Sequence, residues 1–171
     1  GNASVMIHCG SRGLGHQVCS DYLRRIEREQ KEVIKSLPDR ELAFAPSGSE
    51  VASDYLLAMG AAANFAWVNR QVIAHLVRES FKKVFNDVEI NQVYDLCHNI
   101  CKTEEFDGKK FLIHRKGATR CAPAGHELNP EVYKSIGHPV LIPGTMGTAS
   151  YVLNGLESSI KESFMSTAHG A

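Results

Sequence analysis

A helical pattern extends over residues 49–85, and it limits the folds that a chain of 171 residues can adopt. Ser49-Glu50 supplies the residue types that begin a helix, and alanines at positions 61–63 and 66 allow neighbouring elements to approach closely. Gly60 is where such a helix breaks most readily. Asn69 and Arg70 interrupt this small, apolar surface, and they either satisfy core groups or reach a functional site.

A second helical pattern covers residues 17–37 and ends at Pro38, with apolar residues on one face and charged residues opposite. Short apolar segments predict strands at about 5–8, 90–95, 109–114, 140–142 and 150–154. Helical regions and strands that occupy different parts of the chain favour an α+β fold, with two long helical regions flanking the sheets.

Composition is compatible with a single domain, because 43% of the residues are hydrophobic and can supply a core. Nineteen basic residues balance nineteen acidic ones, so any polyanion must be bound by a local cluster. The five cysteines have no disulfide-like spacing, and the sequence has neither a signal peptide nor a membrane-spanning apolar run. We therefore expect a reducing, cytoplasmic environment.

The segment GSRGLG at 10–15 follows the predicted strand that ends at His8, and it precedes a helix expected to begin near His16. Converging glycine amides, the Arg12 guanidinium and a helix N-terminus suit a phosphate. The spacing matches neither G-x-G-x-x-G nor G-x-x-x-x-G-K, and a purely structural turn explains it equally well.

Two cysteines and a histidine lie close together in CHNIC at 97–101. A zinc finger needs a second ligand pair, which the sequence lacks, so we favour buried cysteines beside an exposed His98. His8 and His98 both follow predicted strands, and two such imidazoles can share one divalent ion.

A β-hairpin is predicted at 102–114, with Asp107-Gly108 as its turn. It leads into HRKGATR at 114–120, where Arg115, Lys116 and Arg120 suit phosphodiester binding. A solvated charge run is a close competitor. Further on, the small residues of 143–150 lie between two predicted strands, and such a loop can wrap a nucleobase.

His169 follows the small residues Ser166-Thr167-Ala168, which we expect to turn it outward. Imidazole has an ordinary pKa of about 6.5, so a neutral ring nitrogen is available as a nucleophile. A frayed terminus or a chosen chain boundary explains the same residues, and spacing alone favours that interpretation.

Six blocks carry a family resemblance: MIHCGSRGLGHQ at 6–17, YD at 94–95, HNI at 98–100, HRKGATR at 114–120, PVLIPGTMGTAS at 139–150 and AHGA at 168–171. They resemble the RtcB family of RNA-splicing ligases and follow the family's order across essentially the whole chain. The resemblance implies that GTP guanylylates His169, that His8 and His98 bind manganese, and that Arg12 contacts RNA phosphate. It also implies guanylate contacts for Asn99, Pro143, Gly144, Thr145, Met146, Ser150, Gly170 and Ala171.

The resemblance implies the family's α+β fold and an enzyme that joins RNA 2′,3′-cyclic phosphate or 3′-phosphate ends to 5′-hydroxyl ends, in tRNA splicing or RNA repair, with archease as a partner. Family members are much longer. An upstream Asp, a bridging Cys and a further His are absent here, as are a Gly-Arg pair after Ala171 and a distal lysine. We therefore expect residues 1–171 to be a central to C-terminal fragment, truncated at both ends and inactive alone.

Two other functions fit the residues. A metal-dependent phosphoester hydrolase would use His8 and His98 without a covalent histidine. A non-catalytic RNA-binding module would bind through Arg115, Lys116 and Arg120, with a salt-dependent affinity and no need for GTP or metal.

Overall fold

The computed structural model describes residues 3–39 and 42–170, which form two compact units, Gly1–Asn91 and Gln92–Ala171. The first unit is helical. The second contains short strands and little helix. This combination confirms the α+β class. Among the described residues, no helix is both long and apolar enough to cross a membrane.

Within residues 3–39 and 42–91, the first unit has the α-helices α1 (Arg12–Glu29), α2 (Lys31–Lys35) and α3 (Glu50–Val84). The hydroxyl of Ser49 accepts a hydrogen bond from the Ala52 amide at 3.3 Å, which caps α3 as predicted. The helix continues through Gly60 without a break. The helical region predicted at 17–37 is in fact two helices, and the first begins earlier, at Arg12.

The core of this unit lies between the helices. Ile26 of α1, Ile34 of α2 and Val51 of α3 are buried together, and Tyr22 and other apolar side chains pack against them. At the edge of this core, Arg25 bonds to Asp54 at 2.6 Å and to Glu29 at 2.8 Å, which links α1 to α3. A second face of α3 is exposed and apolar; it carries Leu57, Phe65, Val68, Val72 and Leu76.

The second unit contains six strands: β1 (Asn99–Phe106), β2 (Lys109–Lys116), β3 (Ala118–Arg120), β4 (Pro139–Ile142), β5 (Tyr151–Asn154) and β6 (Ser166–Ala168). They form three antiparallel pairs, β1–β2, β3–β6 and β4–β5. A short helix, α4 (Ser159–Ser163), precedes β6. The parallel pairing found among the described residues is an isolated bridge from Pro123 to Gly155.

The β1–β2 hairpin confirms the predicted turn. Phe106 pairs with Lys109, which leaves Asp107 and Gly108 as a two-residue loop with φ of 50° and 72°. Positive φ at both positions defines the tight turn that Asp-Gly favours, since it matches the twist of the strands. β1 begins at Asn99, three residues before the predicted start at Lys102.

The strands predicted at 5–8 and 90–95 are wrong, because the structure assigns no strand to either segment. Side chains of α3 bond to backbone carbonyls beside the first segment and within the second. Arg70 Nη1 donates to the Cys9 carbonyl at 3.2 Å, and Arg78 Nε donates to the Ile90 carbonyl at 3.1 Å. A backbone that is satisfied by side chains has no need of a strand ladder.

Candidate active site

His169 follows β6 directly and is 8% exposed. The β3–β6 pairing matches Ala118 with Ala168, and the His169 amide continues the contact by donating to the Gly117 carbonyl at 3.0 Å. This continuation draws the residue into the fold. The expectation that the imidazole faces outward is therefore wrong.

His98 stacks on His169. The ring centroids are 3.8 Å apart and the planes differ by 8°. The backbone of His98 is held beside β3, the strand that pairs with β6. The His98 carbonyl accepts a hydrogen bond from the Ala118 amide of β3 at 3.2 Å. His98 is half-buried rather than exposed. Two residues distant in sequence thus present their imidazoles face to face, in a place where rotation of either ring is restricted.

The turn between β2 and β3 joins both histidines to Asn99. The Asn99 Oδ1 accepts a hydrogen bond from the Gly117 amide at 2.8 Å, while the Gly117 carbonyl accepts from His169. Gly117 has a φ of 62°, a conformation that favours glycine. Gly117 therefore bridges the side chain of Asn99, a predicted guanylate contact, and the backbone of His169.

The loop after β4 lies against the end of the chain. A Cβ atom added at Gly170 would lie in ordinary contact, 3.4 Å from the Pro143 carbonyl oxygen, and the φ of 132° at Gly170 favours glycine. Within the loop, the Gly144 amide donates to the Ser150 hydroxyl at 3.0 Å. Of the predicted guanylate contacts, Pro143 thus lies against Gly170, the residue after His169, and Gly144 and Ser150 are bonded to each other within the same loop. Ala171, also predicted as a contact, lies outside the described residues.

The middle of this loop is open to solvent. Thr145 and Met146 are both exposed, and the Thr145 amide donates to the Thr148 hydroxyl at 2.7 Å. Gly147 has a φ of 90°, which lets the loop turn back toward β5. An exposed loop rich in amides and hydroxyls is chemically suited to a nucleotide.

His8 and Arg12 belong to the first unit. His8 is exposed and lies in a segment without regular structure. The Asn69 amide donates to the Gly10 carbonyl at 2.9 Å and to the Cys9 sulfur at 3.2 Å, so α3 holds the backbone that follows His8. The sequence left open whether Asn69 satisfies core groups or reaches a functional site. Its contacts are with the residues directly after the candidate metal ligand His8.

The predicted glycine loop at 10–15 is largely the first turn of α1, since the helix begins at Arg12 and includes Gly13 and Gly15. Ser11 precedes the helix, and a Cβ added at Gly15 would collide with the Ser11 hydroxyl. A free phosphate-cradling loop is therefore wrong for these residues. The Arg12 side chain is exposed at the start of the helix.

The basic segment 114–120 divides into buried and exposed residues. The Arg115 side chain is 2% exposed and forms two hydrogen bonds of 2.7 Å to the carboxylate of Glu104. Arg120 bonds the same carboxylate through Nε at 3.0 Å. Burial against this carboxylate corrects the expectation of a solvated, phosphate-binding Arg115. Arg120 shares the carboxylate, which offsets one of the two positive charges, and the Arg120 side chain is 18% exposed. Lys116 is exposed.

Glu104 has an altered pKa as a result. Burial alone would raise the pKa of this carboxyl, but the hydrogen bonds from Arg115 and Arg120 outweigh it and hold the pKa below the ordinary value. The carboxylate is therefore charged at neutral pH. Sequence reasoning missed Glu104, since nothing in the sequence distinguishes it from the adjacent, exposed Glu105.

The half-buried Tyr94 and the buried His138 form a second pair, which the sequence did not predict. The Tyr94 hydroxyl lies 2.6 Å from His138 Nε2, and His138 Nδ1 lies 3.1 Å from the Pro139 carbonyl. A carbonyl only accepts, so Nδ1 carries the proton and Nε2 accepts from the tyrosine. Burial lowers the pKa of His138 to about 4 and raises that of Tyr94 to about 12. Both groups are neutral at pH 7.

The two cysteines of 97–101, both expected to be buried, differ in exposure. Cys101 is buried, and burial raises the pKa of its thiol. Cys97 is half-buried and its carbonyl accepts a hydrogen bond from the Thr119 hydroxyl at 3.3 Å. Cys101 therefore behaves as a small apolar residue.

Comparison with known proteins identifies the relatives of this sequence. The family model described as tRNA-splicing ligase RtcB matches residues 1–171. Proteins of that name from Pyrococcus abyssi, Thermococcus kodakarensis and Archaeoglobus fulgidus are 57%, 56% and 53% identical over 179 residues each. These matches cover 100% of this chain, but only 20%, 37% and 37% of the respective relatives.

Proposed function

The chain belongs to the RtcB family, and we propose that it is the nucleophile-bearing part of a longer RNA ligase. The observation that carries the proposal is the placement of His169, which is buried, stacked on His98 and adjacent to the loop at Pro143. The proposed reaction joins RNA 2′,3′-cyclic phosphate or 3′-phosphate ends to 5′-hydroxyl ends, in tRNA splicing or RNA repair, with GTP as the energy source.

A neutral ring nitrogen of His169 attacks the α-phosphorus of GTP, and pyrophosphate leaves. Where the RNA end is a 2′,3′-cyclic phosphate, water first attacks its phosphorus and the bond to O2′ breaks, which gives the 3′-phosphate. The histidine–guanylate bond then breaks as an oxygen of the RNA 3′-phosphate takes the guanylate. Finally the RNA 5′-hydroxyl attacks the activated 3′-phosphorus, loses its proton, and GMP leaves. Each step exchanges one bond to phosphorus for another, so no oxidant or reductant is needed.

The chain's contribution to the first step is orientation. The His169 amide is bonded to Gly117, and the ring lies flat against His98, so the nucleophile is held before GTP arrives. A fixed nucleophile lowers the entropy cost of reaching the transition state.

The guanylate is proposed to lie along the loop 143–150 and the turn at Gly117. Thr145 and Met146 offer exposed surface, Gly144 and Ser150 hold the loop closed, and Asn99 lies on the adjacent strand. Gly170 lies close to Pro143. These residues, together with Ala171, are the proposed guanylate contacts.

Manganese is the proposed metal, with His8 and His98 among its ligands. Imidazole nitrogen is a donor that manganese accepts, and His98 lies against the nucleophile, so the residue types fit a metal that serves this reaction. When bound, the ion supplies positive charge that offsets the charge developing on the phosphates. Further ligands are proposed to come from parts of the ligase outside residues 1–171.

The exposed cations Arg12 and Lys116 are the proposed contacts to RNA phosphates, since exposed cations determine affinity for a polyanion. Archease as the protein partner and the cytoplasm as the location belong to the same proposal. We also propose that residues 1–171 are inactive alone.

The test is guanylate labelling of the full-length protein with manganese and α-labelled GTP. We expect a phosphoramidate on His169, stable to alkali and labile to acid, because protonating the nitrogen makes it a good leaving group. His169→Ala should abolish the label, while His75→Ala, which removes an exposed histidine of α3, should retain it. Guanylate on another residue in the His169→Ala protein would refute the assignment.

The same experiment distinguishes the other functions. A hydrolase would release phosphate from RNA ends without forming an adduct. A binding module would retain RNA with neither GTP nor manganese, and its affinity would fall steeply with salt. Either result, in a wild-type protein that fails to label, would overturn the ligase proposal.

A further inference from the structure

Glu104 is a buried carboxylate that the proposed reaction does not use. It lies in β1, and its side chain is 2% exposed. We propose that Glu104, acting through Arg115, is a positioning residue that holds the strand leading to His169. The inference rests on the proposed role of His169 as the nucleophile.

Arg115 links Glu104 directly to the corner before β6 and to its first residue, while Arg120, which binds the same carboxylate, lies in β3 opposite Ser166. Both terminal nitrogens of Arg115 bond to the Glu104 carboxylate at 2.7 Å. The remaining donors face the other way: Nε donates to the Ser166 hydroxyl at 2.9 Å, and Nη2 donates to the Phe164 carbonyl at 3.0 Å. Ser166 is the first residue of β6, and His169 follows its last. A planar guanidinium bound on both sides fixes this strand relative to the hairpin.

The corner before β6 requires such a restraint. Phe164 and Met165 both have a φ of 49°, a left-handed conformation that is unfavourable for residues with a Cβ atom. Two such residues in succession persist only when surrounding contacts hold them. Arg115 binds the Phe164 carbonyl, and the Met165 carbonyl accepts from the Cys121 amide at 2.8 Å. Loss of the arginine contact would let the corner relax toward the ordinary region and shift β6.

Packing holds the same corner from the other side. The Phe164 ring lies 5.1 Å from that of Phe106 and 5.8 Å from that of Phe111, centroid to centroid, so the hairpin supports it with apolar contacts as well. Apolar contacts restrict the orientation of the segment less than directional hydrogen bonds do. A buried ion pair adds little net stability compared with apolar residues of similar size. What this one supplies is a defined position for the segment Phe164–Ser166, and hence for His169.

Glu104→Gln in the full-length protein is the principal test. The amide preserves shape, but it replaces one acceptor by a donor that faces the donors of Arg115. We expect the single-turnover rate of His169 guanylylation to fall by about 10- to 100-fold, the loss that a displacement of up to about 1 Å produces. The KM for GTP should change by less than about twofold, because the nucleotide contacts are untouched. Glu105→Gln, at an exposed position of the same strand, should react like the wild type.

Two further variants separate positioning from stability. Arg115→Lys keeps the charge but loses the paired geometry, and it should lower the rate while the KM remains near the wild-type value. Val51→Ala removes packing in the core of the first unit, and it should lower the unfolding midpoint without changing the rate of the folded protein. An unchanged rate in Glu104→Gln, or an equal loss in Val51→Ala, would overturn the inference.

Amide hydrogen exchange distinguishes this inference from the proposed function. If wild-type protein labels His169 but Glu104→Gln labels equally fast, only the positioning role fails. If wild-type protein does not label at all, the proposed nucleophile fails, and exchange in residues 165–169 tests the restraint by itself. We expect faster exchange there in Glu104→Gln than in wild type or Glu105→Gln. Equal exchange would show that Glu104 does not hold β6.

Discussion

The Tyr94–His138 pair makes the second unit sensitive to acid. Burial lowers the pKa of His138 from an ordinary 6.5 to about 4. Between these values the unfolded chain binds a proton that the folded chain does not, so stability is lost as the pH falls from 6.5 toward 4. The proton-binding difference integrates to about 2 kcal/mol of lost stability at pH 5 relative to pH 8. Since Glu104 has a pKa below its ordinary value, its contribution is lost only at lower pH.

The assay is urea unfolding at pH 8 and pH 5, followed by hydrogen exchange in residues 138–142, which belong to this unit. His138→Gln removes the titrating group and keeps an acceptor for the Tyr94 hydroxyl. Its free energy of unfolding should therefore change between pH 8 and pH 5 by about 2 kcal/mol less than that of the wild type. His126→Gln, which removes a half-buried histidine of the same unit, should keep the wild-type difference. Identical pH dependence in wild type and His138→Gln would refute the reasoning.

Two substitutions test local structure. Gly108→Val places a β-branched residue at a φ of 72° in the hairpin turn and should lower the free energy of unfolding by at least about 1–2 kcal/mol in urea titrations, whereas Gly13→Ala, in a helix, should not destabilise. Ser49→Ala removes the cap of α3 and should cost about 1 kcal/mol, measured by thermal unfolding, while Ser47→Ala in the preceding loop serves as control; equal effects would argue against the cap.

Local signals in the sequence were sufficient for α3 and for the β1–β2 hairpin. Ser49 caps the helix through its own side chain, and Asp107-Gly108 adopts the turn that its residue types favour. Both features depend on residues within a few positions of one another. Such interactions are visible in a single sequence, because neighbouring residues alone decide them.

The strands predicted at 5–8 and 90–95 failed for a nonlocal reason. An apolar run becomes a strand only if another strand pairs with it, and here α3 supplies the hydrogen bonds instead. Arg70 and Arg78 reach carbonyls beside or within these segments from 61 and 12 residues away, respectively. Neither spacing is a recognisable pattern.

The sequence pointed to candidate residues of the site, but it did not indicate their burial or the contacts that hold them. His98 and His169 stand out as imidazoles in motifs, but their stacking depends on the Gly117 turn, which binds the backbones on both sides of it. Burial of His169 follows from the pairing of β3 with β6, strands separated by more than forty residues. Propensity cannot indicate such a pairing, since three-residue strands carry almost no pattern.

In the basic segment 114–120, strand register decides which charged side chains face the interior and which face solvent. Neighbouring residues of a strand point to opposite faces, so Arg115 enters the unit while Lys116 faces solvent. The register pairs Glu104 with Phe111, and even spacing places Arg115 on the same face as both. A carboxylate on that face turns one arginine of an apparent RNA-binding run into an internal support. Charge counts along the sequence cannot make this distinction, because it depends on which strand residues oppose each other.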